Sequence, residues 1–267
     1  MKILIGLALF VLMSANHAHA ELQLTFIDPS LTDSNPLKLE SYEYLPKTWN
    51  GKVIVMSHGS TGGNKNAIKT SLKFVNISKL ATDNGYIFVA YMRKGRGKSE
   101  GNFTEESGKC DYSSLTQEVR EAELQLAQVI TKVREVHSVE KVILMGHSRG
   151  GFLSSVYAHK NPSQVLAVVN LAGAWSAACE SRNGGFGRRA LEASGKAFKP
   201  QLWAYFQNDS YFQAKTFNDS DYSWFSNFAS KNGVTFKVFS DGGRTDGTLG
   251  GGGAHVKIHS QTRPLCA

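Results

Sequence analysis

Two spacings of apolar residues organise the chain. Residues 52–56 (KVIVM), 86–92 (YIFVAYM), 141–145 (KVILM), 165–171 (VLAVVNL), 201–206 (QLWAYF) and 235–239 (TFKVF) are short apolar runs that read as strands. Four of them are almost continuously apolar, as expected when helices cover both faces of a parallel sheet. Ahead of them, 22–27 and 37–45 alternate more, which predicts an antiparallel hairpin at the sheet edge. Between the strands the period changes. Leu115, Val119, Ala122, Leu126, Val129, Ile130 and Val133 form one stripe at helical spacing, predicting a helix over 115–136, with Ser114 and Gln117 as its capping box. Further helices are expected around 67–82, 150–160 and 211–230.

Strands alternating with helices imply parallel βαβ units joined by right-handed crossovers. The expected fold class is therefore α/β: one domain with a mostly parallel sheet of about eight strands and helices on both faces. The stretch between 171 and 201 leaves room for a small cap at most. In such sheets ligands bind beyond the carboxyl ends of the strands.

The N-terminus breaks the pattern. A positive start, Met1-Lys2, precedes an apolar run from Ile3 to Met13 and the small residues of Ala18-His19-Ala20. The run is too short to span a bilayer, which needs about 20 apolar residues, and reads as a secretory signal peptide over 1–20. The expected mature domain is 21–267, exported to the periplasm or medium, with no membrane span left.

Charge adds little. The net charge is +8, and its densest group is Arg93, Lys94, Arg96 and Lys98. No aromatic residues interleave with that group and no nucleic-acid motif surrounds it, so the charge is read as surface solubility and nucleic acid is excluded as a partner. Oligomeric state is not legible. Three cysteines, Cys110, Cys179 and Cys266, lack C-x-x-C spacing, which argues against structural zinc. In an oxidising compartment one pair would form a disulfide.

The chemistry centres on Gly146-His147-Ser148-Arg149-Gly150, which fits G-x-S-x-G. A strand ends directly before it and a helix begins directly after, the setting in which a serine sits on a tight, strained turn. A serine hydroxyl needs a base within hydrogen-bond reach. His17 and His19 leave with the signal peptide. His58, His137, His147 and His159 sit after an earlier strand, at the far strand end, within the turn, and on the following helix. His255 and His259 remain, and His255 is preferred because a glycine-rich loop precedes it. A carboxylate must then orient the histidine. Asp209, three residues past the end of 201–206, is the first choice, with Asp219, Asp221, Asp241 and Asp246 as alternatives. Two backbone amides would hold an oxyanion: that of Arg149, and that of Ser60 in the turn His58-Gly59-Ser60-Thr61-Gly62-Gly63. No metal or organic cofactor is called for.

With these residues in view, about 37–255 of the chain resembles the dienelactone-hydrolase-like branch of the α/β-hydrolase superfamily. The resemblance rests on the His58-Gly59 turn, the segment from Arg93 to Gly101 (RKGRGKSEG), the elbow Gly146 to Gly151 and the strand end Asn208-Asp209. It implies an α/β-hydrolase fold, a place for 93–101 near the active-site mouth, and hydrolysis of a small-molecule ester. Two departures stand out. Dienelactone hydrolases proper use a cysteine nucleophile, and here it is Ser148, which favours an esterase. Members also usually end with a long helix after the histidine, where this chain has twelve residues beyond His255. The loops carrying Cys110 and Cys179 both leave the carboxyl edge of the parallel sheet, and their disulfide is expected, with Cys266 as a competitor; the elbow strand separates their strands in the superfamily's usual order, but loops of this length reach across. A peptidase acting on small peptides and a non-catalytic binding protein on the same scaffold are the alternatives. The first is opposed by the lack of an N-terminal propeller, the second by a complete set of triad residue types.

Overall fold

The computed structural model describes residues 20–26, 37–60, 65–105, 111–175, 185–198, 200–206 and 223–239. Eight strands form one sheet: β1 (Ala20–Phe26), β2 (Leu37–Tyr44), β3 (Val53–Ser57), β4 (Ile87–Tyr91), β5 (Val142–His147), β6 (Val165–Leu171), β7 (Gln201–Phe206) and β8 (Thr235–Phe239). Their order is β1-β2-β4-β3-β5-β6-β7-β8. β1 pairs antiparallel with β2, and β2 with β4; every later pairing is parallel. The expected edge hairpin and parallel sheet are both present.

Strand composition explains the layering. All five residues of β3 and all five of β4 are buried. Their side chains alternate between two cores: Val53, Val55, Val89 and Tyr91 enter one cluster, Ile54, Met56, Phe88 and Ala90 the other. A strand buried on both faces has no polar side to show, so its sequence reads as a continuous apolar run.

Among the described residues the helices are α1 (Lys65–Ile68), α2 (Val75–Asp83), α3 (Tyr112–His137), α4 (Arg149–Lys160), α5 (Gly185–Ala193) and α6 (Ser223–Asn232). Every residue of the α3 stripe is buried against the larger core. Its cap differs from expectation. Asp111, not Ser114, is the N-cap, and its carboxylate accepts from the Ser114 amide at 2.8 Å and from the Ser114 hydroxyl at 2.8 Å. A carboxylate three residues ahead takes the orphan amide, so Ser114 becomes the third helical residue. The helix expected over 67–82 is two helices separated by residues 69–74; Phe74, directly ahead of the second, adopts φ 55° and its side chain is buried in the smaller core. The region between β6 and β7 contains α5, a helix the apolar pattern did not announce.

The chain reverses its winding at β3, which lies between β4 and β5. Such a switch point opens a crevice at the carboxyl ends of the flanking strands. His58 follows β3 there, and Ser148 follows β5.

Candidate active site

Ser148 is the single residue between the end of β5 and the start of α4. Its backbone sits at φ 53°, ψ −124°, a region a non-glycine residue occupies only when its surroundings hold it there. Three hydrogen bonds do so. The Ser148 amide donates to the Leu171 carbonyl at 2.9 Å, and the Ser148 carbonyl accepts from Phe152 at 3.1 Å and Ala174 at 3.2 Å. The flanking glycines are required by close approach. A Cβ on Gly146 would lie 2.1 Å from the Gly150 carbonyl oxygen, and one on Gly150 would lie 2.0 Å from that of Ser57. The second contact shows that the chain leaving β3 rests directly on the first turn of α4.

Beneath this turn lies a buried polar cluster. Glu105, 6% exposed, accepts from three arginines. Arg93 forks onto it, Nε to Oε1 and Nη2 to Oε2 at 3.0 Å. Arg96 reaches Oε2 through Nη2 at 3.1 Å, and Arg149 through Nη1 at 3.5 Å. Burial pushes the Glu105 carboxyl up, but the Arg93 guanidinium, by charge and hydrogen bond, with Arg96 and Arg149, holds it well below the usual carboxylate range. Arg93 and Arg149 also lie over the Trp175 ring, at 5.8 Å and 5.2 Å. The basic group around Arg93 is therefore not the surface charge its composition suggested: Arg93, Lys94 and Arg96 are all buried. Arginine planes can be buried when carboxylate and aromatic partners receive them, and sequence alone does not show those partners converging.

His58 is buried and saturated. Its Nδ1 lies 2.6 Å from the Gly59 carbonyl and its Nε2 accepts from the Arg93 amide at 3.0 Å. Because Nε2 accepts, the ring is neutral with its proton on Nδ1. Burial, then the charges of Arg93 and Arg96, hold its pKa well below the ordinary imidazole value. His58 is thus occupied as a structural tie between β3 and β4. His159 is likewise engaged, with Ser194 and Gln201, on the interior of α4.

Of the residues singled out from sequence, Ser148 and Arg149 share the elbow, and Ser60 lies exposed in the loop after β3, two residues beyond His58. Asp209, His255, their alternatives and all three cysteines lie outside the described residues. Sequence reasoning missed Glu105. The available signal was a lone glutamate pair shortly after the RKGRGKSEG segment. Among the described residues no group of three or more His, Cys, Asp or Glu could hold a metal ion, and no helix is long and apolar enough to cross a membrane.

Comparison with known proteins agrees with this topology. A family model described as alpha/beta hydrolase fold matches residues 52–209. A curated relative, the abhydrolase domain-containing protein lid-1 of Caenorhabditis elegans, is 31% identical over 99 residues, which is 37% of this chain and 24% of that protein. The match therefore spans about a quarter of the length of that relative. Among solved structures, Est1E of Butyrivibrio proteoclasticus with ferulic acid bound superposes with a TM-score of 0.55 at 15% identity, covering 81% of this chain and 88% of that one. The acylaminoacyl peptidase of Pyrococcus horikoshii gives 0.58 at 16% identity, covering 89% and 39%. An esterase of Pyrococcus furiosus gives 0.56 at 13% identity, covering 84% and 82%.

Proposed function

The chain belongs to the alpha/beta hydrolase fold family, and we propose that it is an exported serine hydrolase cleaving a carboxylic ester of a small molecule. The observation that carries this reading is the backbone of Ser148, held at φ 53°, ψ −124° between a strand and a helix at the switch point of the sheet. A serine in that conformation presents its hydroxyl above the strand ends, clear of the turn that supports it.

In this reading Ser148 Oγ attacks the acyl carbon while His255 takes its proton, and Asp209 holds the His255 tautomer and stabilises the imidazolium. The amides of Arg149 and Ser60 receive the oxyanion. The Arg149 side chain is turned down onto Glu105 and Trp175. That leaves its backbone at the first position of α4, where the helix dipole favours negative charge. The tetrahedral species collapses as His255 protonates the departing alcohol, and water then cleaves the acyl-enzyme by the same steps. No metal or organic cofactor takes part.

The second reading is hydrolysis of small peptides, which the likeness to an acylaminoacyl peptidase favours. One experiment separates the two: p-nitrophenyl esters of rising acyl length run beside aminoacyl anilides, with wild type and Ser148→Ala. Ester turnover falling at least about 10³-fold in the variant is expected. Faster turnover of the anilides than of every ester would transfer the assignment to the peptidase reading.

A further inference from the structure

The cluster beneath the elbow has a geometry that bears on the two proposed oxyanion donors. The Gly59 carbonyl is held from behind by His58 Nδ1 at 2.6 Å and by Arg93 Nη2 at 3.4 Å. Arg93 Nη1 also donates to the His58 carbonyl at 2.6 Å. A peptide unit is planar and trans, so its N–H points opposite to its carbonyl. Pinning the Gly59 oxygen against Arg93 therefore aims the Ser60 N–H away from the cluster. Arg93 is itself held by the two-pronged contact with Glu105, and the same carboxylate reaches Arg149, the residue whose amide opens α4. The backbone of this loop already rests on Gly150.

We propose that Glu105 is a positioning residue for the oxyanion hole. Through Arg93 it fixes the orientation of the Gly59–Ser60 peptide, and through Arg149 it fixes the first turn of α4. One buried carboxylate thus sets the separation of two donors, one in the loop after β3 and one at the start of α4. Glu105 touches no substrate and transfers no proton. This role rests on the assignment of Ser148 as nucleophile and of the Ser60 and Arg149 amides as donors.

The test compares Glu105→Gln, which keeps the shape and removes the charge, with wild type on a p-nitrophenyl ester. Rates are normalised to the end point of fluorophosphonate titration, so that unfolded enzyme is not counted. Glu105→Gln is expected to lower kcat about 10- to 100-fold, less than the 10²–10³ of deleting a donor outright, with KM changed less than twofold. The kcat–pH profile should fall as a whole without moving its inflection, because a positioning group exchanges no proton with substrate. Inhibition by phenylboronic acid, which forms a tetrahedral adduct on the serine, should weaken in proportion to kcat. Arg93→Lys keeps a positive charge and loses the fork that spans Glu105 and the Gly59 carbonyl, so it should give the same signature; it carries the test if Glu105→Gln does not fold. Wild-type kcat in the folded variants, or a loss confined to KM, overturns the role of Glu105. An active Ser148→Ala would overturn the underlying assignment as well, whereas an inactive Ser148→Ala beside a fully active Glu105→Gln overturns the Glu105 role alone.

Discussion

Acid should destabilise this protein through His159. Its ring lies in a chain of hydrogen bonds whose direction is set from one end. The Trp203 indole can only donate, and it does so to Gln201 Oε1 at 3.0 Å. The Gln201 amide nitrogen must then face His159 Nε2, at 2.7 Å, which makes Nε2 an acceptor. Nδ1 carries the proton and meets the Ser194 hydroxyl at 2.7 Å, which passes its own to the Leu191 carbonyl at 2.6 Å. Protonation would place two donors face to face at Nε2, and burial lowers the pKa from 6.5 to about 4. Below 6.5 the unfolded chain binds a proton that the folded chain refuses, so stability falls as pH falls and levels off near 4. The full loss is about 3 kcal/mol, of which about 2 kcal/mol is gone by pH 5. Urea unfolding at pH 7.5 and 5.0 measures it, with His159→Gln as the reference that keeps a polar side chain and removes the titration. The variant should be less stable at pH 7.5 yet lose about 2 kcal/mol less than wild type between the two pH values. Equal losses in the two proteins would refute the argument.

Three further outcomes are expected. Gly150→Ala would place a Cβ 2.0 Å from the Ser57 carbonyl oxygen; it should destabilise by about 1–3 kcal/mol, shift Tm down by several degrees and abolish turnover, and a wild-type melting curve would contradict the packing described for the elbow. Non-reducing peptide mapping should find Cys110 linked to Cys179, a bond worth about 4 kcal/mol in the chain-entropy model; free Cys110 in oxidised, active enzyme would end that pairing. Mass spectrometry of protein from the periplasm or medium should find Glu21 at the N-terminus, and recovery of Met1 there would count against the signal peptide.

What was legible in the sequence was what one segment decides by itself. β3 and β4 show as apolar runs because both their faces are buried, and α3 shows because its stripe repeats on one face. The elbow shows because its strand, glycines, serine and helix are contiguous, and each glycine answers a contact with nearby backbone. Features that depend on convergence did not show. Glu105 matters because arginines from positions 93, 96 and 149 meet at one carboxylate, which no local pattern records. The break over 69–74 ends at Phe74, whose ring is buried in the smaller core while its backbone takes a left-handed conformation that propensity assigns to glycine. The helix cap was misplaced because Asp111 and Ser114 are both suitable cap residues, and the structure starts the helix at Tyr112, so that Asp111 receives the Ser114 amide.

The central claim is that Ser148 is the nucleophile, and covalent trapping tests it most directly. Wild-type protein treated with a fluorophosphonate during ester turnover should lose activity with one equivalent bound, and peptide mass mapping should place the adduct on the elbow peptide at Ser148. Ser148→Ala should bind none. An adduct on another residue accompanying full loss of activity, or undiminished labelling of Ser148→Ala, would contradict the account.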